Sequence, residues 1–307
     1  MVAYKTETEQ VSAQFINSNF VNKVEQGRIK EATEEGSAFI RSKMRQEAFV
    51  REIIPPVTLT QDELDRDETT DQPKKIVEKE PDSTATYVPF YGTAPRSVFR
   101  GRRYAVFFGK TESQRFRKSK FELMTYQNDI RKILADNAVK DMADQEDTKF
   151  ITTVDSILAA SPSQVIAAPS FNAAAFKSSF QNLVSRRLPV GKILMTKATF
   201  YEALDLPATS VGDSVASGHY TDGIEKETQL WGIPVITTIK GDILKAQGGK
   251  SHAFYTFAPE NFLGNFFLLQ DATLVIKQEA DIIQLHSYAA LGIGIGNTAA
   301  MVRVDIA

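Results

Sequence analysis

Between residues 62 and 123 the chain reverses its charge. The stretch DELDRDETTDQPKKIVEKEPD, residues 62–82, carries nine acidic against four basic side chains and little that is apolar. PFYGTAPRSVFRGRRYAVFFGKTESQRFRKSKFEL, residues 89–123, then sets Arg96, Arg100, Arg102, Arg103, Lys110, Arg115, Arg117, Lys118 and Lys120 among aromatic residues, against Glu112 before Phe121. Taken alone, the acidic stretch is a solvated linker or a disordered segment, because too few apolar side chains are present to offset the entropy of ordering it. The basic stretch has strand-forming composition on both sides of the turn-like GKTES, Gly109 to Ser113. That predicts a long two-stranded ribbon, with Tyr104 to Phe108 on one arm and Phe116 to Leu123 on the other. A lone hairpin is marginal in water. Any fold for this chain must therefore supply a surface on which the ribbon can lie.

The flanks supply regular elements. Residues 9–54 repeat apolar side chains at helical spacing, first Val11, Phe15, Ile16, Phe20 and Val24, then Phe39, Ile40, Met44, Ala48 and Ile53. They read as an amphipathic helical arm outside any obvious core, ended by Pro55-Pro56. After the ribbon, a long helix starts near Asn128 or Asp129, with Ile130, Leu134, Ala138 and Met142 in an i, i+4 row, continued by Phe150, Val154 and Leu158 in a shifted register. From Ala167 helices and strands alternate: a helix from Asn172 to Arg187, a strand KILMT (192–196), a short helix at 200–204, a polar loop at 208–223, then LWGIPVITTI (230–239) and a turn at AQGGKS. AFYTF, FFLLQ, ATLVIKQ, DIIQLHSYAA and MVRVDIA close the chain as strands, the last alternating as a half-buried strand does. There is no internal repeat.

Motifs of chemistry are missing from this pattern. With no cysteine in 307 residues, disulfides and thiolate zinc sites are excluded. His219, His252 and His286 show no H-x-x-x-H spacing, and no G-x-S-x-G elbow occurs. LGIGIGNTAA, residues 291–300, has its third glycine at the wrong distance for a dinucleotide fingerprint and only eleven residues after Gly296, so its glycines read as allowing a bend, a bulge or a close neighbouring backbone. GGKS, residues 248–251, would need a glycine where Leu244 stands to be a phosphate loop, and reads as a turn. The carboxylates Asp213, Glu225 and Glu227 default to a solvated face. No catalytic, cofactor or metal residue is assigned, and the chain is expected not to be an enzyme. The opening residues lack the pattern of a signal peptide and no apolar run spans a membrane, so no membrane association is expected.

What remains is interaction. A formal charge of −2 argues against a dedicated nucleic-acid binder. The acidic stretch beside the basic one favours docking on protein, where charge complementarity sets register and rejects wrong partners. Arg96, Arg100, Arg102, Arg103, Arg115 and Arg117 are the expected contacts to an acidic protein surface, which the resemblance described next would make that of an adjacent subunit.

The order of elements resembles one family. FIRSKMRQEAFVREIIPP (39–56), PVGKILMTKATFYEAL with ETQLWGIPVITT (189–238) and the closing strands from Ala272 to Ala307 are similar to major capsid proteins of tailed bacteriophages. The resemblance implies an α+β Hong-Kong-97-type capsid fold: an N-terminal arm (1–55), an extended β-hairpin loop with its approach (56–126), a spine helix of the peripheral domain (127–166), an axial domain (167–250), and return strands with the peripheral sheet (251–307). It implies hexamers and pentamers of this chain in an icosahedral virion shell around non-specifically held double-stranded DNA. Assembly would take place in the host cytoplasm with portal and decoration proteins, and with a separate scaffold or none. Some relatives weld a loop lysine to a peripheral asparagine; Lys110 and Asn297 fall in the corresponding segments, although most members lack this chemistry. An encapsulin-like bacterial nanocompartment is the alternative with the same fold, and a soluble α/β enzyme or small-ligand binder the alternative outside it.

Overall fold

The apolar rows of the arm find their partner inside the same molecule. The computed structural model describes residues 13–79, 86–94, 101–126, 130–134, 138–204, 228–244 and 252–306. Helices α1 (Ala13–Glu25) and α2 (Ile29–Glu47) turn about Gly27, whose φ of +74° favours glycine, and a short α3 (Val50–Ile53) follows. Val21, Val24, Ile40 and Met44 are buried with Leu274, Ile276, Ile283 and Leu285 of the C-terminal strands. This corrects the reading of an arm outside any core. Those strands alternate apolar and polar residues, which builds one apolar sheet face, and the helical stripe covers it.

The acidic stretch is ordered, and the ribbon pairs differently from the sequence expectation. β1 (Val57–Thr58) is followed by a single turn of 3₁₀ helix, β2 (Asp65–Arg66) and β3 (Pro73–Lys79). The basic arm β4 (Arg102–Phe107) pairs with β3, in register from Lys74 opposite Phe107 to Lys79 opposite Arg102. Glu78 stands opposite Arg103, and their side chains meet at 2.7 Å. Asp67 organises the preceding turn by accepting from the Thr70 amide at 3.1 Å and from Lys74 at 2.9 Å. These hydrogen bonds, Lys74 foremost, hold its carboxyl down at about 2. Beyond Phe108, β5 (Gly109–Glu112) and β6 (Phe116–Ser119) do not fold back on β4; both add to a C-terminal strand, and residues from Lys120 to Thr125 are helical (α4).

α5 (Ile130–Leu134) leads through a π-type turn at Ala138-Val139 into α6 (Lys140–Ala159). Asn128 and Asp129 lie outside the described residues; the Ile130 amide donates to Asn17 Oδ1 of α1 at 2.8 Å. Next come β7 (Val165–Ala168), α7 (Ala173–Ser185), β8 (Lys192–Thr196), α8 (Lys197–Leu204), β9 (Thr228–Leu230), β10 (Ile233–Thr238), β11 (His252–Phe257), α9 (Glu260–Leu263), β12 (Gly264–Glu279), β13 (Ile282–Ile295) and β14 (Met301–Ile306). The six-stranded sheet runs β7-β14-β11-β8-β10-β9; β12 and β13 form a long hairpin flanked by β1 on one side and by β5 and β6 on the other.

Three strand readings are corrected here. LWGIPVITTI is a hairpin, because Trp231 and Gly232 both take positive φ in a two-residue turn. FFLLQ and ATLVIKQ are one strand with register shifts between Leu268 and Thr273. β14 is buried along its whole length, since it lies inside the six-stranded sheet between β7 and β11. The loop at 208–223, the AQGGKS turn with its GGKS, Val11, Asp213, His219, Glu225 and Glu227 lie outside the described residues.

Candidate inter-subunit interface

The β12–β13 hairpin has two unlike faces. Leu274, Ile276, Ile283 and Leu285 point into the helices, so the residues between them line the opposite face. Toward the end of β13 this second face belongs to the ribbon. An ideal Cβ on Gly292 would stand 3.0 Å from Val106 Cγ1, and one on Gly296 would stand 2.8 Å from the Tyr104 hydroxyl oxygen; Gly294 faces Val106 more closely still. The glycines of LGIGIG therefore admit the base of the ribbon, and Asn265 Nδ2 locks it by donating to Tyr104 Oη at 2.7 Å.

The other half of this face is basic. Arg117 sits opposite Gln284 in register and donates to its Oε1 at 3.1 Å, Lys277 flanks the same glutamine, and Lys110 lies 4.7 Å from the Tyr288 ring centre. Glu112 pairs with Lys110 at 3.1 Å and with Arg115 at 3.7 Å; the Lys110 hydrogen bond keeps its carboxyl below the ordinary range. His286 lies among them, its Nε2 3.5 Å from Glu112. Burial pushes its imidazole below the ordinary value, and the charges of Arg115, Lys277 and Lys110 push the same way against Glu112.

The sequence-predicted arginines fall in two places. Arg115 and Arg117 lie on the basic sheet face, while Arg102 and Arg103 are exposed on β4. Arg96 and Arg100 lie outside the described residues. In the sequence between β3 and β4, Tyr87, Phe90 and Tyr91 are 99, 96 and 97% exposed, around a turn in which the Gly92 amide donates to the Pro89 carbonyl. Three aromatic rings so fully in water need an explanation outside the single chain. Lys110 pairs in register with Ala290, while Asn297 lies beyond the end of β13, which at Ile295 is already five strand residues or about 16 Å further along. Within one copy this pair does not meet.

Sequence reasoning missed the buried charges. Arg51 of α3 grips Glu146 of α6 with two 2.8 Å hydrogen bonds and reaches Asp271 of β12 at 3.2 Å. Arg303, 1% exposed on β14, meets Asp305 at 2.7 Å and Asp155 at 3.1 Å, and Tyr255 donates to Asp155 at 3.0 Å. Burial raises the carboxyl of Asp155. One signal was available: the i, i+4 row from Met142 to Phe150 passes through Glu146, an acid in an apolar file. Among the described residues no group of three acids or histidines is placed to hold a metal, and no helix is long and apolar enough to cross a membrane.

Packed helices, a six-stranded sheet, the β12–β13 hairpin with its added strands and the three-stranded β2-β3-β4 sheet make up a mixed α+β chain. The match to solved structures then specifies the fold. The chain is similar to the capsid of the cyanophage P-SCSP1u (TM-score 0.56, 11% identity, 79% of this chain and 85% of the other) and to the mature capsid of bacteriophage PhiM1 (0.58, 9%, 85% and 87%). It is also similar to a virus-like particle from Pyrococcus furiosus (0.55, 13%, 89% and 99%). No protein-family model matches the sequence, and no curated protein matches it. The fold is the Hong-Kong-97-type fold of phage major capsid proteins.

Proposed function

We propose that this chain is a major capsid protein that assembles through hexamers and pentamers into an icosahedral phage head around double-stranded DNA. The observation that carries the reading, beside the fold, is the segment between β3 and β4: Tyr87, Phe90 and Tyr91 stand in water there, while the base of the ribbon is locked in the glycine cradle. Each such ring buries about 150–250 Å² when covered, which at about 25 cal/mol per Å² favours association by roughly 4–6 kcal/mol before ordering costs. Closed symmetry repeats that contact around the shell. The residue ranges 1–55, 56–126, 127–166, 167–250 and 251–307 serve as arm, extended loop, spine, axial domain and closing strands. The role is interaction rather than catalysis. DNA is held without sequence preference, portal and decoration proteins are further partners, a separate scaffold or none is used, and assembly takes place in the host cytoplasm.

The arginines contribute register. Arg102 and Arg103 on the ribbon, Arg115 and Arg117 on the sheet face, and Arg96 and Arg100 between β3 and β4 are taken to meet acidic groups of neighbouring copies. The exposed Arg103–Glu78 pair adds little to the stability of one chain, so Arg102→Glu with Arg103→Glu should fold normally and fail to form shells. Particles of unchanged yield and stability, seen by negative-stain microscopy, would refute the assignment. A nanocompartment shell is the second reading, favoured by the 99% coverage of the Pyrococcus furiosus particle chain. Nucleic acid inside purified particles supports the head; a protein cargo in its place supports the compartment.

A further inference from the structure

The basic face of the β12–β13 sheet holds two cations without a counter-charge. Arg117 of β6 and Lys277 of β12 both stand opposite Gln284 in register, one on each side of β13 and so about 10 Å apart by strand spacing. Both are exposed, over a glutamine that is buried. Among the described residues Arg117 donates to that neutral glutamine alone, and Lys277 has no ion pair. The acids of this face are engaged or set apart: Glu112 serves Lys110 and Arg115, and Glu279 lies two residues beyond Lys277 at the end of β12, unpaired with it. Lys110 also borders Asp141 of α6 across a cleft. The uncompensated positive charge therefore centres on Arg117 and Lys277.

The same chain carries the opposite feature elsewhere. Residues 60–72, between β1 and β3, are fixed by internal hydrogen bonds: Glu63 accepts the Thr60 amide at 3.0 Å, Asp67 takes the Thr70 amide and Lys74, and Arg66 donates to Asp71 at 2.8 Å. Asp62, Asp65 and Glu68 are left exposed, and among the described residues none of them meets a cation. β1 leads into this turn from the β12 edge of the hairpin, whereas β5 and β6 complete the β13 edge. Within one copy neither set neutralises the other. A turn already fixed by its own bonds loses little freedom on docking, and complementary charge sets its register.

We propose that the acidic turn at residues 60–72 of one copy docks on the Arg117–Lys277 face of a second copy of this chain, with Asp62, Asp65 and Glu68 supplying the carboxylates. The inference rests on the reading of the chain as a self-assembling shell protein and names the acids that this face meets. Because the two patches differ and every copy carries both, the contact is head-to-tail, and it forms a ring where the rotation between copies closes. A nucleic-acid backbone fits this face less well: Glu279 and Glu112 bracket the two cations along the strands and would stand against its phosphates.

Sedimentation velocity and negative-stain microscopy of the full chain test the contact with two charge-reversed variants. One reverses the face, Arg117→Glu with Lys277→Glu; the other reverses the turn, Asp62→Lys with Asp65→Lys and Glu68→Lys. All five side chains are exposed, so both variants should keep the circular dichroism and urea midpoint of the wild type. Each alone should self-associate roughly a hundredfold more weakly than wild type, because like charges then face each other. An equimolar mixture should recover association, since each acidic face then finds a basic turn and each basic face an acidic one. A mixture no better than its components, or a face variant that assembles as the wild type does, would overturn the proposal; wild-type shells beside that result leave the shell reading standing. Small discrete oligomers in place of shells, with the same loss and recovery, would support the contact and overturn the shell reading, and a wild type that stays monomeric would overturn both. Duplex DNA held by the unassembled wild type and released by the face reversal, with no recovery in the mixture, would assign the cations to phosphate and overturn the proposal.

Discussion

Gly296→Ala measures how closely the ribbon is seated. The added methyl would sit 2.8 Å from the ring carbons and hydroxyl oxygen of Tyr104, where ordinary contacts begin at 3.4 Å, so the ring must move by 0.6 Å or more. That movement spoils the 2.7 Å hydrogen bond from Asn265. Overpacking of this kind costs about 1–3 kcal/mol and the lost hydrogen bond a further ~0.5–1.5 kcal/mol. A total of about 2–4 kcal/mol is expected, read as a shift of the urea midpoint at constant slope by circular dichroism of the unassembled chain. Removing the ring gives the control. In a Tyr104→Ala background the three atoms nearest the methyl are gone, and the same glycine substitution should cost less than about 1 kcal/mol, the difference being the coupling between the two sites. A Gly296→Ala chain as stable as wild type, or a cost unchanged by Tyr104→Ala, would refute the argument that these glycines exist to admit the ribbon.

Other perturbations test the buried charges and the helix cap. Arg51→Met strands Glu146 in the core and should destabilise by about 3–5 kcal/mol, much of it recovered by adding Glu146→Gln; both are read by urea titration. Asn172 Oδ1 accepts the Ala175 amide at 2.9 Å at the start of α7, and Asn172→Ala should cost about 1 kcal/mol in the same assay. Asp147 takes up its proton more readily folded, at about 6, than unfolded, at 3.8. Its contribution to stability therefore grows as pH falls through 6, is complete below 4, and is lost as pH rises; the difference of about two units corresponds to about 3 kcal/mol between pH 8 and pH 4. The Asp147→Asn chain should lack that pH dependence. His286 acts in the opposite sense: its folded value lies below the unfolded one, so stability falls as pH drops through the unfolded histidine range, and His286→Gln should flatten the loss in a pH series of thermal midpoints.

Periodicity was enough for the elements whose partners are near in sequence. α7 with its Asn172 cap, β8 at 192–196, and the helical rows of Phe39 to Ile53 and Ile130 to Leu158 were legible because 3.6-residue spacing and cap chemistry are local properties. Strand partners were not. Tyr104 to Phe108 carries the same β-forming residues whether it pairs forward with Phe116 or backward with Ile76 and Val77. The structure pairs it with β3, while β5 and β6 complete the edge of β13. The candidate interface divides the same way: its arginines could be named from composition, but which of them share a face could not.

The sequence by itself therefore determined the helices, the strand-forming segments, the absence of cysteine chemistry and the reversal of charge. It also excluded a phosphate site at LGIGIG. Tertiary structure alone decided what those glycines admit, that Arg303 and Asp305 on an alternating strand are both buried, and that Glu146 and Asp147 lie inside an apolar helix face. Burial is a property of what lies on both sides of an element, and a charged residue can occupy the core when a partner distant in sequence arrives to meet it.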